Sequence, residues 1–201
     1  MPAYLALLLA VLSRILPHAF HAVSWNFTAV GGALLFFGSQ LGADKTHAPQ
    51  TSARGLTWST AARLVSAVAV LMATDYYLTV YAYQYPFHVA GYVVTWLWYA
   101  AVCLLGMGLL IKPSVLRVIA GVLASSTSFF LLSNLAVWAG SAMYPHTLAG
   151  LEACYIAAIP FYRNDLVSTA ITAGALFGLP VLAAKIVDAL HTASSNDLPL
   201  A

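Results

Sequence analysis

FFLLSNLAVWAGSAMYPHTLAGLEACYIAAIPFYRND, residues 129–165, decides how the rest of the chain is read. It opens as the end of a long apolar helix that carries Asn134 and Trp138, and it breaks at Tyr144-Pro145-His146. A shorter apolar segment with Glu152 and Cys154 follows. That segment stops at Pro160, ahead of Phe161, Tyr162, Arg163, Asn164 and Asp165. Polar groups, aromatics and helix breaks are concentrated here inside a stretch apolar enough for lipid. A site is expected in it.

Composition sets the surroundings. The chain has 201 residues, of which 62% are hydrophobic and 7% charged, with a mean hydropathy of +0.86. A soluble domain carries about 25% charged residues, so too few charges exist here to cover a watery surface. Continuous apolar runs exclude a membrane β-barrel, which needs alternation. The fold class expected is all-α and integral to the membrane, as a single domain over residues 1–201 with 190–201 as a frayed tail. The net charge of +2, with no basic cluster, argues against a nucleic-acid partner. Cys103 lies deep in an apolar run and Cys154 near a helix end, so no disulfide joins them, and no Cys/His spacing reads as a zinc site. The N-terminus lacks a positive region before its apolar core and reads as a retained first helix rather than a signal peptide.

Six spans are expected: about Ala3–Leu16, Phe27–Leu41, Trp58–Gln84, His88–Ile111, Ser114–Ala142 and Leu166–Leu190, the last interrupted by Pro180. A short extra helix lies between the fifth and sixth, within Tyr144–Asn164. Residues 42–57 form the one long polar loop. Gly31-Gly32 in the second span permits tight packing in a bundle. Lys45, Arg54, Arg63, Lys112, Arg117 and Lys185 fall on one side, six of the eight basic residues. The positive-inside rule puts that side, and both termini, in the cytoplasm. In a bacterium this is the inner membrane. His18, His21, His88, His146 and Arg163 then face outward.

Ionisable groups at membrane depth are costly and mark cavities or pairs. Arg14, Asp75 and Glu152 are the candidates, as a polar pocket open to the outside or as a structural ion pair in which Arg14 or Arg163 meets Asp75 or Glu152. Asn134 and Trp138 share a helix face at a spacing of four, where Asn134 bonds another helix or a ligand. Tyr81, Tyr144 and Tyr155 belong either to an interfacial aromatic belt or to a pocket wall. The outer histidines lack the spacing of a helical metal site, so no metal is assigned and any cofactor is left unnamed. No fingerprint of a hydrolase, metalloprotease or nucleotide site occurs in a suitable setting. The chain is therefore not read as an enzyme. Ala3, Ala6 and Ala10 lie near one face of the first helix, where small residues let a partner helix approach.

Three sets of residues resemble a known group of proteins. They are Arg14-Ile-Leu-Pro17-His18 with Asn26-Phe-Thr-Ala-Val, then Thr74-Asp75 with Val80-Tyr81, then Phe129-Phe130 through Asn134, Trp138, Tyr144-Pro145, Gly150-Leu151, Cys154-Tyr155 and Ile159-Pro160-Phe161. Together they resemble an uncharacterised family of small bacterial membrane proteins related to the substrate-binding S components of energy-coupling factor (ECF) vitamin transporters. The resemblance implies a six-helix bundle with both termini inside and an outward pocket for a vitamin or related micronutrient. It also implies docking through Ala3, Ala6 and Ala10 onto an ECF-type energising module or another membrane subunit. The pocket residues expected are Arg14, His18, Asn26, Asp75, Tyr81, Asn134, Trp138, Tyr144, Glu152, Tyr155 and Arg163. The alternatives are a non-transporting structural subunit of a larger membrane complex and a membrane-embedded enzyme using a carboxylate.

Overall fold

The computed structural model describes residues 1–19, 26–46 and 57–196, with the side chains of 18–19, 45–46 and 190–196 outside that description. Lys45 (as a side chain), His21 and Arg54, which entered the sequence reading, fall outside it. Among the described residues every regular element is helical. In chain order these are α1 (Pro2–Ala19), α2 (Val30–Thr46), α3 (Trp58–Tyr77), α4 (Val93–Leu109), α5 (Val115–Gly140) and α6 (Leu148–Asn196). A π turn, Leu78–Ala82, extends α3, and a 3-10 turn, Val89–Gly91, precedes α4. Thr57 and Ser114 cap α3 and α5 by accepting from the backbone N–H of Thr60 and Arg117, which satisfies donors that a helix start leaves orphaned.

Three stretches are long and apolar enough to cross a membrane: Trp58–Ala82, Val115–Gly140 and Leu148–Ala189. Pro2–Pro17 and Val93–Leu109 are shorter apolar helices. The outer faces carry bare leucines and isoleucines such as Leu5, Leu8, Leu131, Leu135, Ile156 and Ile171. This is the surface of a membrane protein, since lipid imposes no penalty on exposed aliphatic side chains.

α2 is the axis of the bundle. Ala33, Leu34, Leu35 and Phe37 are all 0% exposed and Phe36 is buried too, and five consecutive buried residues cover every face of a helix, as only a surrounded helix requires. α4, α1, α6 and α5 pack around it. Glycines set how closely. A Cβ on Gly106 of α4 would stand 2.2 Å from the Leu35 carbonyl oxygen, and one on Gly42 of α2 would stand 2.6 Å from that of Met107. The two backbones therefore touch, the arrangement small residues allow where dispersion rather than water drives association. Nearer the start of α2, Gly32 lies against Thr172 and Ala173 of α6.

Several expected boundaries move. The short extra helix between the fifth and sixth spans does not exist as a separate element: α6 runs without interruption from Leu148 to Asn196, through both Pro160 and Pro180. A proline removes one intrahelical bond, but in lipid no irregular alternative could satisfy the remaining backbone groups, so the helix continues. At 1.5 Å per residue α6 is about 73 Å long. Likewise α1 passes Pro17 and ends at Ala19 rather than Leu16. α2 begins at Val30, not Phe27, and continues to Thr46, taking up the start of the expected polar loop. Asp44 in that added turn pairs with Arg63 of α3.

Helix ends sort by side. Arg63, in the first turns of α3, lies over the Tyr4 ring of α1, with its guanidinium carbon 5.9 Å from the ring centroid. Gly42 near the end of α2 meets Ile111 beyond α4, and Lys185 of α6 lines one groove with Pro113 and Ser114. The start of α1 and the far half of α6 thus share an end with the basic loops. The opposite end gathers the close of α1 and α3, the start of α2, α4 and α6, and the close of α5.

Candidate functional site

At that opposite end, a carboxylate sits inside the bundle. Asp75 is 3% exposed and pairs with Arg14 of α1 through Nη2 and Oδ1. Its other oxygen accepts from Trp96 Nε1 at 3.0 Å, and the Tyr99 hydroxyl stands 3.3 Å from both oxygens. Two helices, α1 and α4, thus converge on one side chain of α3. An ion pair taken out of water must recover its solvation from such donors, and α4 supplies them by placing Trp96 and Tyr99 nearly one turn apart.

The chain around Asp75 is arranged toward the same point. Thr79 donates to the Asp75 carbonyl at 2.7 Å and shares a hydrogen bond with the Tyr92 hydroxyl. Ser13, next to Arg14, accepts from the Ala29 N–H at 2.9 Å, which ties α1 to the entry of α2. Asn26 holds φ at +65°, a conformation asparagine tolerates better than most residues. A cavity of about 190 Å³ opens here, lined by Arg14, Asn26, Thr28, Asp75, Thr79 and Tyr92 among others. While Asp75 is fully engaged, Arg14 Nη1 is buried without a hydrogen-bond partner among the described residues.

A second cavity, of about 180 Å³, shares Asn26 with the first. Its wall is aromatic, from Phe129, Phe130, Phe161 and Tyr162. Its polar groups come from Ser126, Ser133, Asn134 and Asp165. The Tyr162 hydroxyl bonds Thr127 at 3.0 Å, and Phe130 packs on Tyr162 with ring centroids 4.8 Å apart, which fixes that wall. Asn134 donates to the Phe130 carbonyl of its own helix at 2.7 Å.

Of the residues expected at a pocket, the structure brings together Arg14, Asn26, Asp75 and Asn134. His18 lies in the last turn of α1, and its side chain is outside the described residues. Trp138 and Tyr155 are spent on structure. Trp138 Nε1 donates to the Pro145 carbonyl at 3.0 Å, and the Tyr155 hydroxyl to the Leu131 carbonyl at 2.8 Å. Tyr81 is exposed and packs edge-on near Tyr76, and Tyr144 lies in the turn before α6. Glu152 and Arg163 are on the exposed face of α6 and line neither cavity. The ion pair posed as Arg14 or Arg163 with Asp75 or Glu152 is Arg14 with Asp75.

Ala3, Ala6 and Ala10, expected as a docking face, are 2%, 1% and 0% exposed. They belong to the core that α1 shares with α2, so the chain itself covers the face expected for a partner. Trp96, Tyr99 and Tyr92 carry no site signal in the sequence, because aromatics at helix starts read equally as an interfacial belt, and Thr79 is one threonine within an apolar helix. Asp165 was passed over at the end of an apparent loop. Yet Asp165, Ser168, Thr169 and Thr172 follow helical spacing and are all buried, a polar stripe that periodicity could have exposed. Among the described residues no group of three His, Cys, Asp or Glu stands close enough to hold a metal ion, and Cys103 and Cys154 are both free and buried.

The model of a family of unknown function (DUF6580) matches residues 1–190. No curated protein and no solved structure matches the chain.

Proposed function

The chain belongs to this family of unknown function, and from the groups gathered around Asp75 we propose that it binds a small molecule from the outer side of the bacterial inner membrane for uptake, in the manner of an ECF S component. One observation carries the reading: Arg14 Nη1 is a buried cationic donor with no acceptor among the described residues, beside a polar cavity. An unused charged donor costs about 1–3 kcal/mol or more, and a ligand carboxylate, carbonyl or phosphate oxygen offsets that cost.

Each cavity alone is below the ~300–1,000 Å³ of a drug-sized pocket. The two meet at Asn26. The ligand is therefore a compact molecule of vitamin or vitamin-precursor size held across both. Its polar end lies on Arg14, and its planar or apolar part lies against Phe129, Phe130 and Tyr162. The end bearing Arg63, Lys112 and Arg117 faces the cytoplasm, which leaves the cavities open outward. An energising module, if it docks, does so on a surface other than Ala3, Ala6 and Ala10.

Native mass spectrometry of the gently extracted 21.3 kDa chain tests this. An adduct of a few hundred daltons that disappears in Arg14→Met supports binding and begins to identify the ligand. Co-purifying membrane subunits with no adduct would replace the proposal with a structural role in a complex. Turnover of an added substrate that falls in Asp75→Asn while binding survives would replace it with an enzyme.

A further inference from the structure

Below the aromatic cavity, four polar oxygens are buried with no well-formed hydrogen bond among the described residues: Ser125 Oγ, Ser126 Oγ, Thr169 Oγ1 and Asp165 Oδ2. Their residues are 0%, 0%, 0% and 5% exposed. Native interiors leave few such atoms, and each one left unpaired costs about 1–3 kcal/mol. Ser126 lies close enough to the Asp165 carboxylate to interact with it, but no bond of good geometry satisfies any of the four, and a common partner would.

They are neighbours. Asp165 and Thr169 lie one turn apart on the inner face of α6. Ser125 and Ser126 are adjacent on α5, and Ser126 lines the same cavity as Asp165. Gly31 of α2 closes the group. A Cβ there would stand 2.6 Å from Thr169 Oγ1 and 3.2 Å from Ser125 Oγ, so the bare glycine lets both hydroxyls close in on the same point. Among the described residues no basic side chain lines the cavity above.

We propose that Asp165, Ser125, Ser126 and Thr169 hold a sodium ion within the membrane. The donor set consists of hard oxygens, which excludes metals that seek sulfur or imidazole. It carries a single carboxylate, so a monovalent cation leaves the cluster neutral where net charge is most costly. Calcium takes six to eight oxygens, commonly including several carboxylates, and magnesium keeps several waters. Four side-chain oxygens with a single carboxylate fall short of the first and supply no carboxylate-and-water shell for the second. The ion is reached through the aromatic cavity, past Asn26 and Asn134. This site does not rest on the small-molecule reading, since its ligand is the ion alone.

The test uses the full chain in detergent and measures 22Na⁺ binding alongside thermal unfolding. Sodium chloride is titrated against choline chloride at constant ionic strength, with potassium chloride in parallel. We expect saturable binding near one ion per chain and an unfolding midpoint that rises with sodium as linkage requires. Thr169→Val keeps the shape and removes one oxygen, and it weakens binding by about tenfold or more. Asp165→Asn abolishes it. Equal midpoints in sodium and choline, equal responses to sodium and potassium, or an undiminished sodium response in Thr169→Val would each overturn the site and leave water or a protonated Asp165 as its occupant. If Asp165→Asn does not fold, the natural chain and Thr169→Val decide the matter.

Discussion

Gly38 of α2 lies directly against the backbone of Cys103 in α4: a Cβ on the glycine would stand 2.0 Å from the Cys103 carbonyl oxygen. No side chain could yield there, because the obstacle is backbone. Gly108 on α4 has nothing within 4 Å of such an atom. Gly38→Ala is expected to destabilise the bundle by about 1–3 kcal/mol or more through overpacking. Gly108→Ala should be neutral, or stabilising by up to about 1 kcal/mol from helix propensity. Paired thermal unfolding in detergent checks this, and equal midpoints would remove α2–α4 contact as the organising interface.

The Arg14–Asp75 pair makes a sharper prediction because both partners are buried, with side chains 15% and 3% exposed. Removing one leaves the other charged and unmatched. Arg14→Met or Asp75→Leu alone should each cost about 3–5 kcal/mol. The double variant should lose clearly less than the sum, since it strands no charge. A double-mutant cycle by denaturant unfolding measures the coupling, and additive losses would mean that the two groups act independently.

Trp96 and Tyr99 support the same carboxylate unequally. Trp96 has one well-placed bond at 3.0 Å, whereas Tyr99 is shared at 3.3 Å between two oxygens. Trp96→Phe should cost about 1.5–3 kcal/mol, the range for a hydrogen bond to a charged group. Tyr99→Phe should cost less. Reversal of that order in unfolding midpoints would place the Asp75 carboxylate closer to Tyr99 than described.

Glu152 and Arg163 face away from the bundle. Glu152→Gln and Arg163→Gln should change stability by less than about 0.5 kcal/mol and leave any adduct in native mass spectra intact. Loss of the adduct in either would move the binding surface to the outer face of α6.

Trp138 fastens the turn between α5 and α6 by its bond to Pro145 and by edge contact with the His146 ring at 5.5 Å. Trp138→Phe keeps the aromatic body and drops the donor. Amide hydrogen exchange should then rise across residues 141–147 and stay unchanged at Asp75. Unchanged exchange at the turn would show that packing, not the bond, holds it.

Composition alone made the helical membrane character legible, and the cost of charge in lipid marked Asp75 and Arg14 as candidates for an ion pair without choosing them over Glu152 and Arg163. The ends of α1 and α6 were not, because proline is a stop signal in water, and water is the solvent that lets a helix stop. The stretch 129–165 attracted attention by its polar content, yet the centre of the bundle is α2. Its signature is Gly31-Gly32, which reads as permission for tight packing, together with Gly38 and Gly42 at a spacing of four, which alone read only as poor helix propensity. Ala3, Ala6 and Ala10 show the same ambiguity: small residues announce close approach but not which helix approaches. Asp165 was hidden by the apparent end of a helix at Pro160, and once α6 is continuous its inward position follows.

The π turn at Leu78–Ala82 has a geometric consequence for the cavity. Tyr83 donates to the Leu78 carbonyl at 2.8 Å, five residues back, so this part of the chain holds one residue more per turn than an α-helix. In regular α geometry, positions eight apart fall about 80° out of phase. The wider turn absorbs that angle, and Asp75, Thr79 and Tyr83 all reach the same cavity at intervals of four. Deleting one residue between 78 and 82 would therefore act as a rotation more than a shortening. It would swing everything after the turn, Tyr83 first, off the axis that Asp75 defines.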